Sequence, residues 1–170
     1  MDEEQQRIRG YLQTQAAKLS VPDLAAKVRA DMEHVREAAI AVPPAHFFDA
    51  PSDGEWSANE VLAHVLDSAC AGTAAIRGVL DSGAVPPAAT DQVRSTEQRQ
   101  SAQEWWQALL ADRESLFERT RTAKGDEHLD VTWTHPFFGP LNWREWLLFQ
   151  RIHDLDHARQ IQAITATVTA

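Results

Sequence analysis

The sequence is short of several things, and each shortage excludes a class of protein. It has one cysteine, Cys70, so no internal disulfide forms and a cysteine-rich zinc site is ruled out. Basic residues are scarce: 16 Lys plus Arg face 25 Asp plus Glu, for a net charge of −9. Nucleic acid and anionic membranes both demand a basic footprint, which this chain does not offer. No apolar run approaches the ~18 residues a membrane span needs. The opening residues, MDEEQQRIRG, are acidic and lack the apolar core of a signal peptide. These shortages lead to the expectation of a cytoplasmic protein that acts on small molecules. Strand signals are weak too, with one short β-branched stretch, VTWTH at 131–135. There is no internal repeat, no Ser-His-Asp order, no Walker-type loop and no dinucleotide fingerprint.

What is present is enough for a core. At 170 residues and 44% hydrophobic content, residues 1–170 are expected to form a single domain. Breakers divide the chain into helical blocks. Residues 2–19 form a polar segment anchored by Ile8, Tyr11, Leu12 and Leu19. A helix over about 22–41 carries Leu24, Val28, Met32, Val35 and Ala39 at helical spacing, and Pro43-Pro44 stops it. Ser57 with Glu60 reads as a capping box opening a helix that runs to about Leu80. A fourth block spans about Asp91 to Thr122, with Trp105, Trp106, Leu109, Leu110, Leu116 and Phe117 as its apolar members. Asn142 with Glu145 caps the last helix, which ends near Thr165. The fold class is therefore all-α, a four-helix bundle with an extra N-terminal helical segment over residues 1–20. The two longer connections, before Ser57 and after Thr122, suggest crossovers rather than simple up-and-down order.

His153 and His157 carry the chemistry. Residues four apart on a helix project from one side, one turn above the other. Two imidazoles so placed can clip one metal ion, the mechanics of H-E-x-x-H helices. The peptidase glutamate is missing, since Asp154, Leu155 and Asp156 fill the interval. With His153 at zero and about 100° per residue, His157 falls at about 40°, Trp146 at 20°, Gln150 at 60°, Gln160 at −20° and Phe149 at −40°. The histidines thus lie on an inward face. The third ligand candidate is His64, flanked on its own face by Ser57, Val61, Ser68, Ala71 and Ala75, small residues that leave room beside the ring. Three neutral imidazoles leave an open coordination position, the mark of a reactive site. Zinc is the first choice of metal, with nickel, iron or manganese open, because histidines alone do not discriminate.

The neighbours have weaker roles. Asp67, three residues after His64, and Glu60 are candidates to orient an imidazole from outside the ligand set; Asp156 is a weaker one. Trp146, Gln150 and His135 are candidates for the pocket wall. Asp154, about 100° from His153, is expected to face outward. Cys70 is expected to be a small core residue rather than a nucleophile. His34, His46 and His128 have no ligand spacing.

Two stretches, WSANEVLAHVLDS and HPFFGPLNWREWLLFQRIHDLDHARQI, resemble the DinB-like superfamily, including its YfiT-type metal-dependent hydrolases. The shared features are a Trp-Ser helix start with a histidine seven residues after the serine, and an HP-x-x-G loop leading into an H-x-x-x-H helix. The resemblance covers the chain from about Pro22 onward and leaves residues 1–20 as an addition. It implies a four-helix bundle and a divalent metal held by His64, His153 and His157. It also implies a choice of chemistry: a thiol-dependent transferase or isomerase, as in the mycothiol-dependent relatives, or a hydrolase that activates water. A non-catalytic, metal-containing stress-response module with a small-ligand cavity is the competing class, and a homodimer acting through its bundle surface is a third.

Overall fold

A computed structural model describes residues 1–89 and 98–170. Among the described residues five α-helices form, α1 (Glu3–Lys18), α2 (Val21–Ala41), α3 (Ala58–Ser82), α4 (Ala102–Arg121) and α5 (Trp143–Val168). Each start has a local cause. Ser20 caps α2, with a proline in its first turn. Ser57/Glu60 and Asn142/Glu145 form complete capping boxes at α3 and α5. Ser101/Glu104 does the same at α4, so this helix starts later than the expected Asp91. The part of that expectation over residues 90–97 lies outside the described residues. Gly83, at φ 68°, closes α3 in the left-handed region.

Between α4 and α5 the chain forms a small antiparallel hairpin, β1 (Thr132–His135) with β2 (Gly139–Asn142), in which Trp133 pairs with Leu141. The all-α reading holds for the framework, and the hairpin is an addition to it. Two four-residue strands carry little sequence signal, and Pro140 in the second one weakens it further.

The packing order sets the site. Helix α2 packs on α4 and α5, and α3 packs on the same two helices. So α4 and α5 lie across one diagonal of the bundle, and α2 and α3 across the other. Consecutive helices α2 and α3 are diagonal, as are α4 and α5. The chain therefore crosses over at both places where the sequence suggested it. Helix α1 lies against α5. Arg144 holds it there by donating to the carbonyl oxygens of Ala16, at 2.9 Å, and Leu19, while Arg151 bonds the Tyr11 hydroxyl. The core between the helices includes Leu24, Val28, Met32, Val65, Ile76, Leu116, Leu147 and Ile161, all fully buried. Among the described residues, no helix is long and apolar enough to cross a membrane.

Candidate metal centre

Helices α3 and α5 are packed neighbours, and this brings three distant histidines together. His64 lies two turns into α3, and His153 and His157 share a face of α5. One nitrogen from each lies within 4.8 Å of those from the other two. The Nε2 atoms of His64 and His153 are 3.2 Å apart. Two imidazole nitrogens bound to one tetrahedral zinc, each at 2.0–2.1 Å, would be separated by about 3.3 Å. The observed spacing suits either a shared ion or a direct N–H···N contact. His157 donates from Nδ1 to Gln160 Oε1 at 2.8 Å, which leaves its Nε2 lone pair for a metal. Burial, reinforced by His157, His64 and Arg113, holds the His153 imidazole well below the ordinary histidine range. It is neutral at physiological pH, the form that ligates. Among the described residues, this is the one group of three or more metal-ligating side chains that comes together. The donor set fits a divalent ion.

The surroundings are aromatic. Trp56 meets His64 edge-on at 5.3 Å, and Phe149 lies 5.8 Å from His153. His135 is buried in the group behind Phe149, stacked on Phe138 at 4.5 Å and set against Trp146. Its Nδ1 accepts from the backbone N–H of Phe137 at 3.1 Å, so it holds the hairpin turn. Trp146 stacks on Trp133 and donates to that residue's carbonyl oxygen. In the sequence Trp56 stands out only as part of the Trp-Ser helix start, with no place at the site. Its place directly before the capping serine was the available signal, since that serine starts the turn leading to His64.

The polar partner beside the cluster was also missed. Arg113 of α4 is wholly buried, as is Asp154 of α5. Arg113 donates from Nη1 to Gln150 Oε1 at 2.8 Å, and from Nη2 to both Asp154 oxygens at 3.0 and 3.2 Å. The expectation that Asp154 faces outward is thus corrected. Helix α5 is covered by α1, α2 and α3, so a residue about 100° from the histidines still points into protein. The long arginine reaches it across the bundle diagonal. Burial raises the Asp154 carboxyl, and Arg113 opposes the rise. Gln150, a candidate pocket residue, is 2% exposed and belongs to this network. Helical spacing held a signal for it: Leu109, Arg113, Leu116 and Phe117 fall on one face of α4, and Leu147, Gln150, Asp154, Ala158 and Ile161 on one face of α5.

The remaining candidates fall elsewhere. Glu60 is buried, and its Oε2 accepts from Ser57 N at 2.8 Å in the cap. Asp67 and Asp156 are exposed. Cys70 is exposed rather than in the core, because it lies about 120° around α3 from His64. Partial burial and the neighbouring Asp112 push its thiol up to about 11, which makes it a poor nucleophile at neutral pH.

The fold and the site together define a helical bundle with a three-histidine cluster between two of its helices. The chain belongs to the DinB superfamily, whose family model matches residues 25–161. Solved structures with the same fold include TT2238, a four-helix bundle protein, at 21% identity and a TM-score of 0.64, covering 85% of this chain and 99% of that one. YfiT from Bacillus subtilis, described as a probable metal-dependent hydrolase with an unusual four-helix bundle topology, matches at 13% identity and a TM-score of 0.69, over 88% and 87% of the two chains. The mycothiol-dependent maleylpyruvate isomerase matches at 15% identity and a TM-score of 0.67, over 86% of this chain and 62% of its own length. No curated protein matches the sequence significantly.

Proposed function

We propose that this protein binds one divalent metal ion, zinc in first place, through His64, His153 and His157, and is a metal-dependent enzyme of the thiol-transferase or hydrolase type. The convergence of three imidazole nitrogens from two helices carries the reading. A divalent ion held by three neutral imidazoles leaves a position open and lowers the pKa of a thiol or water that joins it, supplying a nucleophile at neutral pH. The protein's own part is to present three imidazole donors, orient His157 through Gln160, and wall the site with Trp56 and Phe149.

One observation favours thiol over water. The buried carboxylates on the two histidine-bearing helices are Glu60, Glu145 and Asp154. Glu60 and Glu145 serve helix caps, and Asp154 is held by Arg113. Metal-bound water is acidified too, but a hydrolase gains further from a free acid–base group beside it, which a coordinated thiolate does not need. A low-molecular-weight thiol of the mycothiol kind suits this chemistry, and two of the solved relatives point to metal and thiol. The same observation leaves the non-catalytic binding module as the second reading, since such a module needs no proton acceptor.

The test is turnover. Zinc-loaded protein, freed of any affinity tag, is mixed with a small thiol and a panel of electrophiles, and thiol loss is followed. The expected result is consumption that stops in His153→Ala. Ester hydrolysis without thiol loss would favour the water route. No turnover of either kind, with metal still bound, would favour the binding module.

A further inference from the structure

We infer that Arg113 is a positioning residue for the three-histidine centre: its two-point grip on α5 sets the rotation at which His153 and His157 meet His64. The inference rests on the metal reading above and goes beyond it, because Arg113 is not one of the three ligand candidates but bonds their neighbours Gln150 and Asp154.

Four observations carry it. Arg113 and Asp154 are both fully buried. Removing two charges from water is costly, and apolar replacement of a buried pair is often neutral or stabilising. Packing alone therefore gives little reason to keep them. Second, the contacts straddle a ligand: Gln150 is three residues before His153, and Asp154 one after it. A planar guanidinium with two fixed acceptors on one helix resists rotation and sliding of that helix, which a single contact does not. Third, Arg113 stands on α4, diagonal to α5, so it holds α5 from a direction that α2 and α3 do not. Fourth, the network reaches the other ligand-bearing helix. Gly72 lies two turns beyond His64 on α3, and a Cβ built there would fall 2.4 Å from Gln150 Nε2. Gln150, fixed by Arg113, thus sets how closely α3 and α5 approach. Metal ligands must be held within about half an ångström of working geometry, and a rotation of α5 would swing both histidines together.

The experiment uses the full chain, tag-free, with zinc as probe. Arg113→Met/Asp154→Leu removes both charges and keeps the volume. Arg113→Lys keeps the charge and loses the fork. Zinc affinity is measured by titration against a chromophoric chelator, fold stability by urea unfolding, and the His64–His153 Nε2 separation from crystals of the metal-free double variant. We expect the double variant to stay folded with an unchanged or higher urea midpoint, to bind zinc about 10–100-fold more weakly, and to show the two nitrogens farther apart than the 3.2 Å of the parent. Arg113→Lys should also lose affinity, and it decides the matter if the double variant does not fold. Wild-type affinity in a folded variant, with the nitrogens still 3.2 Å apart, would overturn the inference. Absence of zinc binding in the parent would instead overturn the metal reading, and the metal-free crystals would still judge the positioning role.

Discussion

Two glycines on α3 should respond in opposite ways to the same substitution. Gly72 is buried, and an alanine Cβ there would lie 2.4 Å from Gln150 Nε2 and 3.4 Å from Gln150 Cδ. Gln150 cannot simply swing aside, because its Oε1 accepts from Arg113 at 2.8 Å and the side chain is 2% exposed. Relief requires breaking that charge-assisted bond, at a cost of about 1.5–3 kcal/mol, or pushing α3 from α5. Alanine in a helix interior returns roughly 1 kcal/mol over glycine. Gly72→Ala should therefore lose about 0.5–2 kcal/mol, which lowers Tm by roughly 1–8 °C in a chain of this size. Gly78, on the same helix, has no atom within 4 Å of its built Cβ. Gly78→Ala should gain about 0.5–1 kcal/mol from reduced chain entropy. Urea unfolding followed by tryptophan fluorescence gives both values. Equal effects at the two sites would refute the claim that Gln150 is wedged and fixed against α3.

Three further outcomes are expected. Asp154→Leu alone leaves Arg113 buried and uncompensated, so it should cost about 3–5 kcal/mol, far more than the double replacement; calorimetry on the two variants checks the order. The His153 imidazole is depressed in the fold, mainly by burial. The unfolded chain therefore binds the extra proton first, and the metal-free protein should lose stability as pH falls below about 6.5. Asp154, raised by burial, acts in the opposite sense and is common to both proteins, so the comparison with His153→Ala, which should flatten the loss beginning near 6.5 in a urea midpoint series, isolates the histidine. Cys70, at about 11 against an ordinary 9.0, should alkylate with iodoacetamide roughly tenfold more slowly than a free thiol at pH 7.5, the lost thiolate fraction being partly offset by its greater nucleophilicity; mass spectrometry of timed samples measures it.

The frame was legible where local chemistry decides. Ser57 with Glu60 and Asn142 with Glu145 start α3 and α5 where the sequence places the caps, because a capping box is settled within four residues. Ser101 with Glu104 carried the same signature and was passed over in favour of an earlier start. The shared inward face of His153 and His157 followed from helical periodicity. The hairpin was half legible: the β-branched stretch at 131–135 covers the first strand, Thr132–His135, whereas Gly139–Asn142, with Pro140 inside it, carries no strand propensity. Asp154 is expected from the sequence to face outward, and Arg113 carries no signal of its own, since charged residues are usually exposed. Their burial depends on which helices lie diagonal to one another, and that is a property of the bundle as a whole. What brings His64 to the pair is likewise the packing of α3 on α5; spacing within the sequence gives no measure of that distance.

The most direct measurement is metal stoichiometry and coordination on tag-free protein. Native mass spectrometry should find one divalent ion per chain in the parent and none in His64→Ala or His153→Ala. X-ray absorption at the metal edge should give three imidazole nitrogens at about 2.0–2.1 Å. A parent that takes up no more metal than the His64→Ala/His153→Ala/His157→Ala variant would contradict the three-histidine centre.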